Sequence, residues 1–470
     1  MKSCCPFRFD EILTLSFEYR YTFWAFSLLM GSIMSKLIHR RDILGAMGAG
    51  ALGLMVGPWG TLTGCGDNPV DNKPKPKPPE LTWPVLAAEL VTITPSTAAF
   101  RWLTKEERAT SVKYGTTFEM KQRLDLSTPV TKHHHLILKD LKPGTKYYYQ
   151  FSTDEPESDH YSPGEFTTLT PPKGELLFRF GTLNDVHIGQ EAAGGLRGGV
   201  FKQMTWPDPK NPHYLFTLQS AVAQLNQMQV DFVLIKGDIV HKRVKDQFTL
   251  ARKELDKLKH PYYTIRGNHD RVDSGKPDYY MEFFKDKFAG SKLTHYGFTH
   301  KGVRFLCMDS VNLKSGKPEV STEQLNWLKD QMKQYAGKPV MIFIHHPVTD
   351  AASENFSLKG DNRKAFLSAL SGQDHLVGIF AGHSHRDKLT YQKELGKAPC
   401  VETAASLHYP TGFNVYEMYS DGYIQSCHAL TGPNCLEWNE MTKQLYGGLG
   451  HKMLFETADK RNFVFQYKKS

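Results

Sequence analysis

The sequence predicts two folded domains of different class, an all-β sandwich over residues 81–172 and an α/β domain over residues 175–430. Three observations carry that reading. At 470 residues the chain exceeds what one ordinary hydrophobic core encloses. Short alternating runs punctuated by Pro, Gly and Asp fill the first stretch. After Glu175, apolar β-branched runs alternate with helical ones, the order that gives parallel strand pairing and α/β layering.

Composition narrows the function classes. A content of 40% hydrophobic and 23% charged residues is globular. The net charge of +9 is modest for this length; it suits an anionic substrate, and without a basic stripe it argues against a nucleic-acid partner. Seven Cys without a CxxC pair indicate neither a zinc ribbon nor a disulfide scaffold. Twenty His is a high count, so their clustering matters.

Residues 34–65 read as an export signal. Arg40 and Arg41 precede a weakly apolar, Gly-rich run shorter than the ~20 residues a bilayer span needs. The arginine pair resembles a twin-arginine signal, and "LTGC" resembles a lipoprotein cleavage box with Cys65 as the lipidated residue; the plainer alternative is a simple signal with an incidental Cys. A signal of this kind sits near the start of translation, which points to Met34 rather than Met1 and leaves residues 1–33 as a doubtful extension. The rival reading makes residues 21–34 a first hydrophobic segment. Residues 66–80 contain "DNKPKPKPPE", a Lys/Pro spacer that favours an extended polyproline conformation. The whole describes an exported protein, periplasmic or at the cell surface, tethered to the membrane through Cys65.

In the first domain the strands are "AELVTIT", "TAAFRWLT", "SVKYGTT", "HHHLILKDL", "KYYYQFST" and "GEFTTL". "LKPGTKYYYQF" is similar to the turn-plus-tyrosine signature of fibronectin type III domains. Residues 133–135 are consecutive His; on a strand they point to alternate faces and cannot share one metal, so they read as surface residues.

In the second domain the helices include "LFTLQSAVAQLNQM" and "STEQLNWLKDQMKQ", the latter with Ser321 or Thr322 as N-cap. Six strand-like runs end in polar clusters: Asp185-Val186-His187, Gly237-Asp238, Asn268-His269-Asp270, Asp309-Ser310, His345-His346-Pro347 and His383-Ser384-His385. Each alone could be a turn. Five metal-capable clusters on successive strand ends are more than turns, because ligand sites in open α/β sheets form along the carboxyl edge. Imidazole nitrogens with Asp and Asn oxygens suit zinc, manganese or iron. Two neighbouring cations repel each other unless a carboxylate bridges them, and Asp238 is placed to do so. Two divalent ions against Asp185 and Asp238 leave a net positive centre, suited to a phosphoester.

D-x-H, G-D, G-N-H-D, H-x-P and G-H-x-H in this order resemble the calcineurin-like metallophosphoesterases, over roughly half the chain. The resemblance implies two packed sheets flanked by helices, and two divalent or trivalent metal ions (Fe, Mn or Zn). One metal would be held by Asp185, His187, Asp238 and His385, the other by Asp238, Asn268, His345 and His383. The H-x-P spacing selects His345 over His346. His269 would contact the phosphate and protonate the leaving alkoxide; Asp270 would orient its ring or simply end the turn. A metal-bound hydroxide would attack phosphorus.

A fibronectin-like domain ahead of such a core is similar to purple acid phosphatases. That family places Tyr three residues after its first Asp, where this chain has Ile188, so the tyrosinate colour is not expected to carry over.

Substrate contacts are proposed at Arg197 and His241, with an ordinary role the alternative for His241. Arg197 and Trp206 lie in the Gly-rich insertion of residues 189–213, a lid or a mobile surface loop. His408 reads as pocket-lining or ordinary, Cys427 and Cys435 as a candidate disulfide, and residues 431–470 as an extension ending in an edge strand. The leading expectation is an exported phosphodiesterase or phosphomonoesterase. A nuclease on the same metals and a non-catalytic surface binding protein are the alternatives.

Overall fold

The structure, a computed structural model, describes residues 85–152, 163–194, 201–349, 355–432 and 434–467. These lie in one unit, Thr82–Ser470. The signal, Cys65, the spacer and Arg197 fall outside the described residues.

Five antiparallel strands build the first domain: β1 (Val85–Ile93), β2 (Ala98–Gly115), β3 (Gln122–Leu138), β4 (Lys146–Ser152) and β5 (Gly164–Thr167). β2 is 18 residues long and carries β1 along its first part and β4 along its second, with β3 on the opposite edge. Phe100, Trp102, Leu136, Tyr147, Phe151 and Phe166 fill the core. The Tyr147 hydroxyl accepts from the Lys142 backbone N–H at 2.9 Å, pinning the Pro-Gly turn. One expectation fails here: His134 is not at the surface. It is buried, stacks on Trp102 with centroids 4.9 Å apart, and bonds Thr104 and Thr110 through its two ring nitrogens. Two threonines facing an inward strand position satisfy an imidazole as a core polar group.

The second domain follows as β6 (Leu176–Leu183), a ribbon of β7 (Ala192–Ala193) and β8 (Met204–Thr205), then β9 (Phe232–Ile235) and β10 (Tyr262–Thr264). Next come β11 (Tyr296–His300), β12 (Val303–Met308), β13 (Val340–Ile344), β14 (Leu376–Ala381), β15 (Lys388–Tyr391) and β16 (Pro399–Glu402). β17 (Gly412–Tyr419), β18 (Gly422–Ala429) and β19 (Phe463–Gln466) complete it.

Two six-stranded sheets result, ordered β10-β9-β6-β17-β18-β19 and β11-β12-β13-β14-β16-β15. β10, β9 and β6 run parallel, as do β12, β13, β14 and β16. Their runs, such as "FVLI" and "VMIFI", are buried at every position, as strands covered on both faces must be.

The sheets pack face to face through aromatic rings. Phe180 meets Phe305 at 5.3 Å and Phe343 at 6.0 Å, and Phe380 meets Tyr416 at 5.2 Å. Helices cover the outside. His213–Gln227 contributes Phe216, Leu218 and Leu225 to one core; Thr322–Gln334 and Gly360–Leu370 contribute Leu328 and Phe366 to another behind the second sheet. Ser321 caps Thr322–Gln334, its side chain accepting from Gln324 N.

β19 is the edge strand expected from "NFVFQYKK", paired to β18. Cys427 and Cys435 are not bridged; both are buried free thiols. Trp206 packs edge-on against Phe216 and Trp438.

Candidate metal centre

Every predicted ligand leaves the carboxyl end of a parallel strand: Asp185 and His187 after β6, Asp238 after β9, Asn268 after β10, His345 after β13, His383 and His385 after β14. To aim their side chains along one edge, five of the seven take left-handed backbone conformations. Asp185 has φ 52°, His187 48°, Asp238 50°, His383 65° and His385 52°. Such conformations are uncommon outside glycine and persist where surrounding contacts over-determine them.

The geometry brings the seven together. Donor atoms of Asp185, His187, Asp238 and His385 lie within 4.8 Å of one another. His187 Nε2 and His385 Nε2 approach to 3.1 Å. On the other side of Asp238, His345 Nε2 lies 3.3 Å from Asp238 Oδ1 and 3.1 Å from Asn268 Oδ1. Asp238 thus touches both groups through its two oxygens, since its Oδ2 is 3.5 Å from His187 Nε2. His383 donates from Nε2 to the Asn355 carbonyl at 2.9 Å, while its buried Nδ1 has no partner.

These residues fit paired cations. Asp185 and Asp238 are fully buried, and their ion-pair partners are imidazoles. Burial opposes the charge on Asp185, but His385 and then His345 hold the carboxyl well below its usual range. Burial likewise opposes Asp238, which His345 and His269 hold down. Burial would lower His345, yet Asp238 raises it to about 9. Carboxylates this desolvated, ringed by imidazoles, are a ligand set for metal.

Glycines permit the approach. A Cβ on Gly382 would lie 2.8 Å from Asp185 Oδ2, and one on Gly237 would lie 2.5 Å from His345 Nδ1.

His269 and His241 join the cluster. Their rings stack 5.3 Å apart, and His269 sits 4.8 Å from His187. His269 Nδ1 donates to the His241 carbonyl at 2.9 Å, which leaves Nε2 outside that bond. His241 also lines a cleft of about 300 Å³ with Gln190, Glu191, Gln203 and Lys242.

Asp270 does not orient the His269 ring. It is buried and accepts backbone N–H from Ile239 at 2.9 Å, Val240 at 3.0 Å and Gly267 at 2.9 Å. Its role is to tie the Asn268 turn to the turn after Asp238.

His408 is the residue that sequence reasoning undervalued. Its Nε2 lies 2.9 Å from His385 Nδ1. The available signal was position, since it follows β16, another parallel strand of the same sheet.

A two-sheet α/β core with imidazoles and buried carboxylates converging at its strand ends defines a metal-dependent hydrolase. Residues 178–387 match the calcineurin-like phosphoesterase family, and residues 86–168 match the purple acid phosphatase N-terminal domain. The chain thus carries a calcineurin-like phosphoesterase domain, preceded by a purple acid phosphatase N-terminal domain.

Among its relatives is a probable glycerophosphodiester phosphodiesterase of Arcobacter nitrofigilis, 25% identical over 193 residues, covering 40% of this chain and 68% of that protein. A probable cyclic nucleotide phosphodiesterase of Vesicomyosocius okutanii is 23% identical over 210 residues, 44% of this chain and 85% of that protein. A dimetal phosphatase from Danio rerio superposes with a TM-score of 0.48 at 16% identity, covering 63% of this chain and all of that one.

Proposed function

We propose that this phosphoesterase hydrolyses phosphodiesters at a pair of divalent or trivalent cations, one held by Asp185, His187, Asp238 and His385, the other by Asp238, Asn268, His345 and His383. The observation that carries the reading is Asp238, whose two carboxylate oxygens face His187 on one side and His345 on the other. When bound, the cations supply Lewis acidity that activates water and neutralises the phosphate oxygens. Asn268, a neutral ligand, leaves the site electropositive toward an anionic ester. His269, its Nδ1 fixed by the His241 carbonyl, presents Nε2 to the leaving oxygen and donates the proton it needs. The cleft beside His241 receives the leaving alcohol.

Export and attachment through Cys65 are further parts of the proposal and rest on residues 34–65. No helix among the described residues is long and apolar enough to cross a membrane.

Turnover of bis-p-nitrophenyl phosphate and p-nitrophenyl phosphate tests the function, with and without manganese and after chelation. The diester is expected to turn over with metal and to stop turning over on chelation. Failure of metal-loaded protein on both esters would refute the proposal in favour of a binding protein.

A further inference from the structure

The buried contacts between the first domain and the second lead, bond by bond, to a proposed metal ligand. They start at β1 and β2. Arg101 Nε donates to Glu89 Oε2 at 2.6 Å, and Arg101 Nη1 donates to the Pro410 carbonyl at 2.9 Å. The Tyr409 hydroxyl donates to Glu89 Oε1 at 2.6 Å.

The other side of the same segment is held by the C-terminal helix Cys435–Lys443. Tyr409 N donates to Thr442 Oγ1 at 2.9 Å, and the Trp438 indole donates to the Leu407 carbonyl at 2.8 Å. Arg101, His408 and Tyr409 are all buried. A segment gripped from two sides inside a desolvated interface has one conformation available to it.

That conformation sets a tautomer. His408 Nδ1 lies 3.0 Å from the Tyr409 carbonyl, which can only accept, so Nδ1 carries the hydrogen. In the neutral ring Nε2 then accepts, and its partner at 2.9 Å is His385 Nδ1. His385 therefore donates from Nδ1 and keeps its lone pair on Nε2, the atom 3.5 Å from Asp185 Oδ1 and 3.1 Å from His187 Nε2. Metal-binding imidazoles need this arrangement, with the outward N–H held so that the inward nitrogen is free to ligate.

We propose that His408 is a positioning residue for the metal site, fixing the tautomer and ring orientation of His385. The Glu89–Arg101 pair of the first domain holds the Tyr409-Pro410 segment on which His408 depends, so the N-terminal domain is a structural part of the metal centre. The proposal rests on His385 being a ligand.

The test measures Mn²⁺ affinity and stoichiometry of the full chain by calorimetric titration and elemental analysis. His408→Phe removes the acceptor and is expected to weaken binding about 10- to 100-fold. His408→Gln restores an acceptor and is expected to recover most of that loss. Tyr409→Phe keeps the ring but drops the bond to Glu89, and a smaller loss in the same direction is expected. Phe166→Leu, in the first domain's core without a polar link, is expected to lower thermal stability and leave Mn²⁺ affinity unchanged.

Wild-type affinity in His408→Phe would overturn the proposal, as would equal losses in His408→Phe and His408→Gln. If His408→Phe does not fold, Tyr409→Phe decides, and unchanged affinity there refutes the link to the first domain. His385→Ala separates the two readings. Full metal binding in that variant sinks the ligand assignment itself; loss there with none in His408→Phe sinks the positioning role alone.

Discussion

Gly237→Ala probes how tightly the strand-end turns are built. Gly237 has φ +85°, and an added Cβ would lie 2.5 Å from His345 Nδ1, 2.8 Å from Gly267 N and 2.9 Å from Gly267 Cα. Two of those neighbours are backbone and cannot rotate aside. The third is the ring nitrogen that donates to the Lys236 carbonyl at 2.8 Å. Restoring ordinary separations of about 3.5 Å moves the His345 ring by roughly 1 Å.

An L-residue in the left-handed region costs about 1–2 kcal/mol, and overpacking adds about 1–3 kcal/mol. The sum is about 2–5 kcal/mol of folding stability. A ligand displaced by about 1 Å also lowers turnover by roughly 100-fold. Calorimetric unfolding, elemental analysis and the diester assay read stability, metal content and rate. A variant with wild-type stability, both metals and full rate would show that the turn is not packed as described.

Two further outcomes follow from particular contacts. His269→Asn leaves the backbone bond from residue 269 to Asp238 intact, so metal content is expected to hold while kcat falls by about 10²–10⁴-fold; an unchanged rate would remove His269 from the chemistry. Glu89 is the acid-sensitive element of the domain contact. Burial would raise its carboxyl, but Arg101 and Lys443, helped by the Tyr409 hydroxyl, bring it down to about 2. A depressed pKa stabilises the fold above the unfolded value of about 4.5, and that stability is lost as pH falls toward 2. It amounts to on the order of 3 kcal/mol. Glu89→Gln should flatten the stability profile of the full chain in that window, and an unaltered profile would refute the assignment.

Much of the candidate site was legible in the sequence because its information is chemical and ordered. Asp185, His187, Asp238, Asn268, His345, His383 and His385 all stand just past apolar β-branched runs, and parallel pairing puts such positions on one edge. Asp270 was not legible. Its neighbours in sequence are His269 and Arg271, whereas its bonding partners include Ile239 and Val240, some thirty residues away. His134 escaped because alternation says which way a side chain points, not whether threonines wait there. The role of His408 depends on bonds to β1, β2 and the C-terminal helix, three segments that no local pattern relates. The left-handed conformations at five ligands were invisible for the same reason: residue type permits them, but only the assembled sheets impose them.

The contacts that complete the candidate metal centre span great lengths of chain. His383 N–H reaches Asp185 across 198 positions, and Asn184 reaches the Thr403 carbonyl across 219. The proposed ligands run from Asp185 to His385 and leave strands of both sheets, so the cations can be taken up only after the second domain has folded. Timing then decides which metals arrive. Under the proposed export through a twin-arginine signal, a chain that crosses the membrane already folded would be loaded from the pool inside the cell. A chain threaded across unfolded would take whatever the outer compartment offers. The metals found in purified protein would therefore record where it folded.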